Sequence, residues 1–298
     1  MGHVIVRLMG GLGNQMFQYA TGLALARRLK VPLLLDREFL DSRPPGMNWT
    51  ARSLELDVFK APLHFATRDM VKHARRELES VWRRRMDRLL PGLFPKRCYL
   101  QQGTGYDPGL LHCEAPIHIE GFWQNERYFK HLAEELRTEI FVPRALVEGQ
   151  NAELLASIRA SNCASIHVRR GDYVSNTDSN RYHGVCSPDH YIKAAEELFR
   201  EQGVEHFFLF SDEPDWVKAD LPLPYPHTIV SHNSGRNSHW DLHLMRHCKH
   251  HIIANSSFSW WGAWLNADPR KVVIAPAQWF QGSATPASEI LPPEWIAR

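Results

Sequence analysis

The stretch SIHVRRGDYV (Ser165–Val174) carries His167, Arg169 and Arg170 at the end of an apolar run. As a strand of a parallel sheet it would deliver them to its carboxyl end, where open α/β sheets bind ligands. Side chains alternate across a strand, so Arg169 shares a face with His167 and is the better candidate for a ligand contact than Arg170. A guanidinium fork suits a phosphate or diphosphate and keeps its charge at any relevant pH. An interdomain salt bridge is the alternative use. A second stretch, IIANSSFSWWGAW, runs from apolar residues through Asn255, Ser256 and Ser257 into an aromatic helix. A serine-rich turn at a helix N-terminus offers N–H groups and hydroxyls to an anion. Together the two stretches describe a diphosphate pocket.

A third stretch, VIVRLMGGLGNQMFQYATGLALARRLKVPLLLD, opens like a dinucleotide-binding βαβ unit, with Asp36 roughly where a ribose-binding acid would stand. Its third glycine position is Met16, however, and no Gly-Lys-Ser/Thr follows, so it matches neither standard nucleotide turn. The string HLMRHCKHH raises the question of a metal. His243 and His247 are four apart, with Cys248, His250 and His251 behind them. Structural zinc sites draw ligands from loops and from a second cluster, and none completes this one. No Asp-x-Asp occurs either, so no metal is expected, and histidines near a helix C-terminus have a plain role beside its dipole. The tryptophans of SFSWWGAW suit either a ring-stacking site or a packed core corner.

The elements that must position these groups follow from periodicity. Strand Val4–Leu8, a helix from about Phe17 to Lys30 and strand Val31–Leu35 come first. The Val71–Leu90 stretch has the spacing of an amphipathic helix with many arginines on its polar face. Ile117–Phe129 reads as a strand running into a helix start, and a polar helix occupies ALVEGQNAELLASIRAS. Near residue 160 the pattern begins again. Strands CASIHV, HFFLFSD, HTIVS, HIIANSS and KVVIAP alternate with helices SPDHYIKAAEELFREQ, SHWDLHLMRHC and FSWWGAWL, the first capped by Ser187 with Pro188 behind it. Alternating strands and helices predict an α/β fold of parallel sheets covered on both faces. Two such runs predict two Rossmann-like lobes, 1–160 and 161–298, with a cleft between them.

Composition excludes several function classes. A net charge of +2 from 35 basic and 33 acidic residues argues against nucleic acid as a partner. Five scattered cysteines without a CxxC argue against a disulfide framework and for a reducing compartment. No apolar run approaches the roughly 18 residues of a membrane span, and no secretory signal is recognisable. The expected location is cytoplasmic. The arginine-rich helix is either a solvated face or a peripheral contact with anionic lipid head groups.

Five stretches in series, GGLGNQMFQYA, GFWQNERYF, HVRRGDYV, LFSDEPDW and DLHLMRHCKHHIIANSSFSWWGAWLN, resemble the motifs of the glycosyltransferase family 11 α-1,2-fucosyltransferases over most of the chain. The resemblance implies a GT-B architecture, an acceptor lobe before a GDP-fucose lobe, and metal-independent, inverting transfer. The substrates it implies are GDP-fucose and a galactose-terminated glycan, whose terminal β-galactoside accepts at its 2-hydroxyl. No cofactor is implied. Carried over by position, Arg169 holds the donor diphosphate with His167 nearby, Asp241 reads the guanine edge, and Ser257 and Phe258 line the nucleotide beside Asn255 and Ser256. Gly13, Asn14 and Gln15 form a turn that roofs the cleft, with Asn14 joining Arg169 as a catalytic residue. Asp172, Glu120 and Asp36 are the candidate bases, although an SN1-like path needs no strong base. Two other readings stay open: a transferase of another nucleotide sugar on the same scaffold, and a nucleotide- or carbohydrate-binding module without turnover.

Overall fold

The computed structural model describes residues 2–42, 51–79, 89, 96–171, 174, 184–281 and 285–298. The chain divides into two compact units that change over between Leu136 and Arg137, with Val58–Lys60 joining the second. Among the described residues no helix is long and apolar enough to cross a membrane. Residues 80–88 of the arginine-rich stretch and the candidate base Asp172 lie outside the described residues.

Unit one holds a four-stranded sheet of β1 (Val4–Arg7), β2 (Leu33–Asp36), β3 (Cys98–Leu100) and β4 (Ile117–Glu120), in the order β2-β1-β4-β3. Every pairing in it is parallel. Helix α1 (Leu12–Leu29) starts inside the glycine turn, earlier than the expected Phe17, so Gly13 and Asn14 belong to its first turn. Two features start it there. Gly10 reverses the chain at φ +74°, and the Glu55 carboxylate accepts the orphan Leu12 N–H at 3.1 Å. An acid from 43 residues away thus neutralises the positive end of the helix. Helix α2 (Arg68–Glu79) is the described part of the expected arginine-rich helix.

Unit two holds a six-stranded sheet of β5 (Cys163–Val168), β6 (His206–Ser211), β7 (His227–Val230), β8 (His250–Ile252), β9 (Val273–Ala275) and β10 (Ile296–Ala297). Its order is β10-β9-β8-β5-β6-β7, again parallel throughout. Alternation along β6 serves two cores. Phe207 and Leu209 pack with Tyr191, Ala194 and Leu198 of α4 (Pro188–Gln202) and Val217 of α5 (Pro214–Asp220). Phe208 and Phe210 pack with Leu155 and Ile158 of α3 (Gly149–Ala160) and Leu244 and Met245 of α6 (His239–Met245). Because α3 buries its apolar side in this second core, the units change over before it and not at residue 160.

Two local expectations change. Ser187 stands at the α4 N-cap with Pro188 in the first turn, but its side chain makes no capping bond. The tryptophans of α7 (Ser257–Trp264) form a core corner. Trp260, Trp261 and Trp264 are fully or almost fully buried, and Trp260 stacks on Trp264 at 5.7 Å. Arg137 closes the corner, with its guanidinium 4.4 Å from the Trp264 ring centre and two hydrogen bonds to the Trp264 carbonyl.

Candidate functional site

In unit two the carboxyl ends of β5 to β8 point to one edge because the strands are parallel. Strand β5 stops at Val168, so Arg169 and Arg170 lie past the pleat that was expected to separate their faces. Both instead meet the acids that follow β6. Arg169 pairs with Asp212 at 3.0 Å. Arg170 donates its backbone N–H to Asp212 and its Nε to Glu213, and its guanidinium lies 3.9 Å from the Trp216 ring centre. A Cβ on Gly171 would strike the Asp212 carboxylate, so glycine is what lets that acid sit beside Arg169. Arg170 is committed to structure. Arg169 is oriented by an acid and keeps a fifth of its side chain exposed.

His167 is buried, its Nδ1 2.9 Å from the Ser259 hydroxyl and its ring 5.2 Å from that of Phe258. Burial first, then the charge of Arg169, pushes its pKa down to about 3. At neutral pH this imidazole is uncharged, so it can hold a hydrogen bond but does not carry a proton as imidazolium.

The Asn255–Ser257 turn offers less to an anion than expected. Asn255 is 3% exposed, and its Nδ2 donates to the carbonyls of Gly184 and Trp279. The Ser256 N–H donates to the Ala254 carbonyl, and its hydroxyl caps α7 by accepting the Phe258 N–H at 3.3 Å. Asn255 and Ser256 therefore hold the turn together. Half-buried Ser257, whose N–H and hydroxyl have no partner among the described residues, is the part left for a ligand.

Past β7 lies a polar group that position alone assigned to one residue. Asp241 is 6% exposed, accepts one hydrogen bond from Asn233 at 2.8 Å, and has no partner on Oδ2 among the described residues. Burial raises its pKa from 3.8 to about 7, the Asn233 bond lowering it only in part. A buried, half-partnered carboxylate is costly to keep, which makes Asp241 a candidate ligand contact. His243 of α6 and His247, two residues past the end of that helix, meet edge to face at 4.9 Å. Burial leads in lowering their pKa values to about 4 and about 3, so they are neutral and do not serve the helix dipole as cations. Among the described residues no three His, Cys, Asp or Glu side chains gather to hold a metal ion.

In unit one, Asn14 accepts the Gln124 amide N–H at 2.7 Å, and its own Nδ2 has no partner among the described residues. Gln124 follows Trp123, whose φ of +55° is strained for a bulky residue. Gln15 is fully buried and ties Gly10 to Ser53 and Glu55, a structural duty. Two candidate bases are also committed. Asp36 is 1% exposed and bonds His118 at 3.0 Å. Glu120 is shared by Arg7 at 3.2 Å and Arg75 at 2.9 Å. Asp212, Ser259, Asn233 and Gln124 were missed as single residues; Asp212, Gln124 and Ser259 stand in the quoted motifs LFSDEPDW, GFWQNERYF and DLHLMRHCKHHIIANSSFSWWGAWLN, the only signal for them, and Asn233 stands in none.

The family model described as Glycosyl transferase family 11 matches residues 61–298. An alpha-1,2-colitosyltransferase of Escherichia coli is 34% identical over 99% of both chains. The O-antigen biosynthesis glycosyltransferase WbnK, also of Escherichia coli, is 31% identical over 97% of this chain and 98% of its own. Among solved structures, an Arabidopsis thaliana FUT1 variant in complex with GDP aligns with a TM-score of 0.49 at 10% identity, covering 91% of this chain and 70% of that one.

Proposed function

The chain belongs to glycosyl transferase family 11, and from that premise we propose that it moves L-fucose from GDP-fucose to the 2-hydroxyl of a terminal β-galactoside, without a metal. The observation that carries the reading is the sheet edge of unit two. It presents a guanidinium held by an acid at the end of β5 and a buried carboxylate with one open oxygen past β7. Those are the complements of a diphosphate and of the N–H edge of a base.

In the proposed transfer the bond from the sugar C1 to the β-phosphate oxygen breaks as the acceptor oxygen closes on the opposite face. C1 passes through an oxocarbenium-like state. Negative charge grows on the departing GDP, and Arg169, preoriented by Asp212, takes it. Neutral His167 and the Ser257 N–H add hydrogen bonds without moving protons. The family resemblance gives Asn14 a part in the same step, supported by its unpartnered Nδ2. Of the candidate bases, Asp36 and Glu120 are tied up in ion pairs and hydrogen bonds, which favours a path in which the acceptor hydroxyl proton leaves late, to water, as the new C1–O bond forms.

A second donor is favoured by one observation, the 34% identity to an alpha-1,2-colitosyltransferase along the full length. Colitose lacks one ring hydroxyl that fucose carries. Mass spectrometry with lactose, EDTA and either GDP-fucose or GDP-colitose separates the two. Product heavier by a deoxyhexose supports the fucosyl reading, and product heavier by a dideoxyhexose replaces it. A protein that neither transfers nor shifts its melting temperature with GDP overturns both.

A further inference from the structure

Asp241 does not stand alone. The amides of Asn151, in the first turn of α3, and Asn233, past β7, bond each other reciprocally. Asn151 Nδ2 donates to Asn233 Oδ1 at 3.0 Å, and Asn233 Nδ2 returns a bond to Asn151 Oδ1 at 2.8 Å. His232 Nε2 lies 2.8 Å from the same Asn151 oxygen. An ionised Asp241 carboxylate only accepts, so the Asn233 atom facing it is Nδ2, the Asn151 atom facing that nitrogen is Oδ1, and His232 donates to that oxygen. Turning the Asn233 amide over would place its oxygen against both Asn151 Oδ1 and the Asp241 carboxylate. The second Nδ2 hydrogen of Asn233 therefore points at Asp241 Oδ1, at 2.8 Å.

Resting on the proposed GDP-sugar reading, we infer that the Asn151–Asn233 pair, locked by His232, is a positioning device that sets base specificity. Asn233 saturates one side of Asp241 Oδ1 and holds the carboxylate plane, so that Oδ2 and the remaining lone pair of Oδ1 face the ligand as a twin acceptor. Guanine presents two adjacent donors, N1–H and the 2-amino group, and fits. Uracil sets a single N–H between two carbonyl oxygens and is repelled. Adenine offers a ring nitrogen that can only accept. A site built for such donors rejects bases that lack them, because its buried acceptor is then left unpaired.

Calorimetric titration of GDP and UDP into the full chain tests the device in Asn233→Ala, Asp241→Asn and the double variant. Asn233→Ala should weaken GDP about tenfold to a hundredfold and leave UDP within about twofold, so that discrimination collapses. In the Asp241→Asn background the same change should cost less than about twofold, since a positioning residue acts only through its partner. If Asn233→Ala does not fold, Asn151→Ser carries the same expectations at a severalfold loss. Equal losses for GDP and UDP, or an undiminished loss in the Asp241→Asn background, overturn the device while leaving GDP binding in place. A wild-type chain without preference for GDP over UDP overturns the functional reading as well.

Discussion

Replacing Asp241 by Asn should stabilise the protein and cripple its donor site in one step. Burial raises the Asp241 pKa from 3.8 to about 7, and each pH unit between the two values carries about 1.4 kcal/mol. The folded-state value lies above the unfolded one, so between pH 4 and 7 the folded chain binds more protons than the unfolded chain. Stability therefore falls as pH rises through that window. The penalty is complete above pH 7, on the order of 4 kcal/mol, and absent below pH 4. Asn keeps the shape and can still accept the Asn233 N–H, but carries no charge to bury. In urea melts or calorimetry, unit two of the variant should gain roughly 10 °C in Tm at pH 8. At pH 5 the gain should be less than half of that. GDP affinity should fall about a hundredfold at pH 8, because a buried charged acceptor has been lost. A Tm gain that is the same at pH 5 and pH 8, or a loss at pH 8, would refute the burial argument. A gain without loss of GDP binding would refute the site.

Three further outcomes are expected. Arg169→Ala should lower kcat/KM about a hundredfold or more, with the circular-dichroism melt close to wild type; near-normal turnover by the folded variant removes Arg169 from the reaction. Gly22→Ala should cost about 1–3 kcal/mol in urea titration, since its Cβ would lie 2.9 Å from Leu33 and 3.0 Å from Val6 across the α1–sheet contact. Arg137→Ala should cost about 2 kcal/mol of chemical stability, because both the stacking on Trp264 and the two bonds to the Trp264 carbonyl go with it; an unchanged denaturation midpoint contradicts that assignment.

Much of the architecture was legible because it rests on local pattern. The apolar runs CASIHV and HFFLFS are β5 and β6 within a residue of the expected bounds, and the restart of strand–helix alternation announced a second parallel sheet. The three-residue β3 and two-residue β10 are too short to show a period, and neither was foreseen. The α1 start was misplaced for a different reason. Glycines at positions 10, 11 and 13 read as loop, while the group that lets the helix begin at Leu12 is Glu55, which no local pattern connects to it.

The site shows the same division more sharply. Residue types singled out Arg169 and His167, since a fork and an imidazole at a strand end are visible in one dimension, and Asp241 came only from the family resemblance. What each of them can do depends on partners set by folding. Arg169 is held in place because Gly171 makes room for Asp212 beside it. His167 is neutral because burial and that arginine forbid the imidazolium. Asn255 and Ser256, chosen for the same chemistry as Ser257, are spent on the Gly184 and Trp279 carbonyls and on the α7 cap. A motif thus names the groups that a site can draw upon, and hydrogen-bond accounting decides which of them remain for a ligand. By that accounting Ser257 and Oδ2 of Asp241 have no partner among the described residues, and on the proposed reading mutations at those two should separate binding from folding where those at Asn255 or Ser256 cannot.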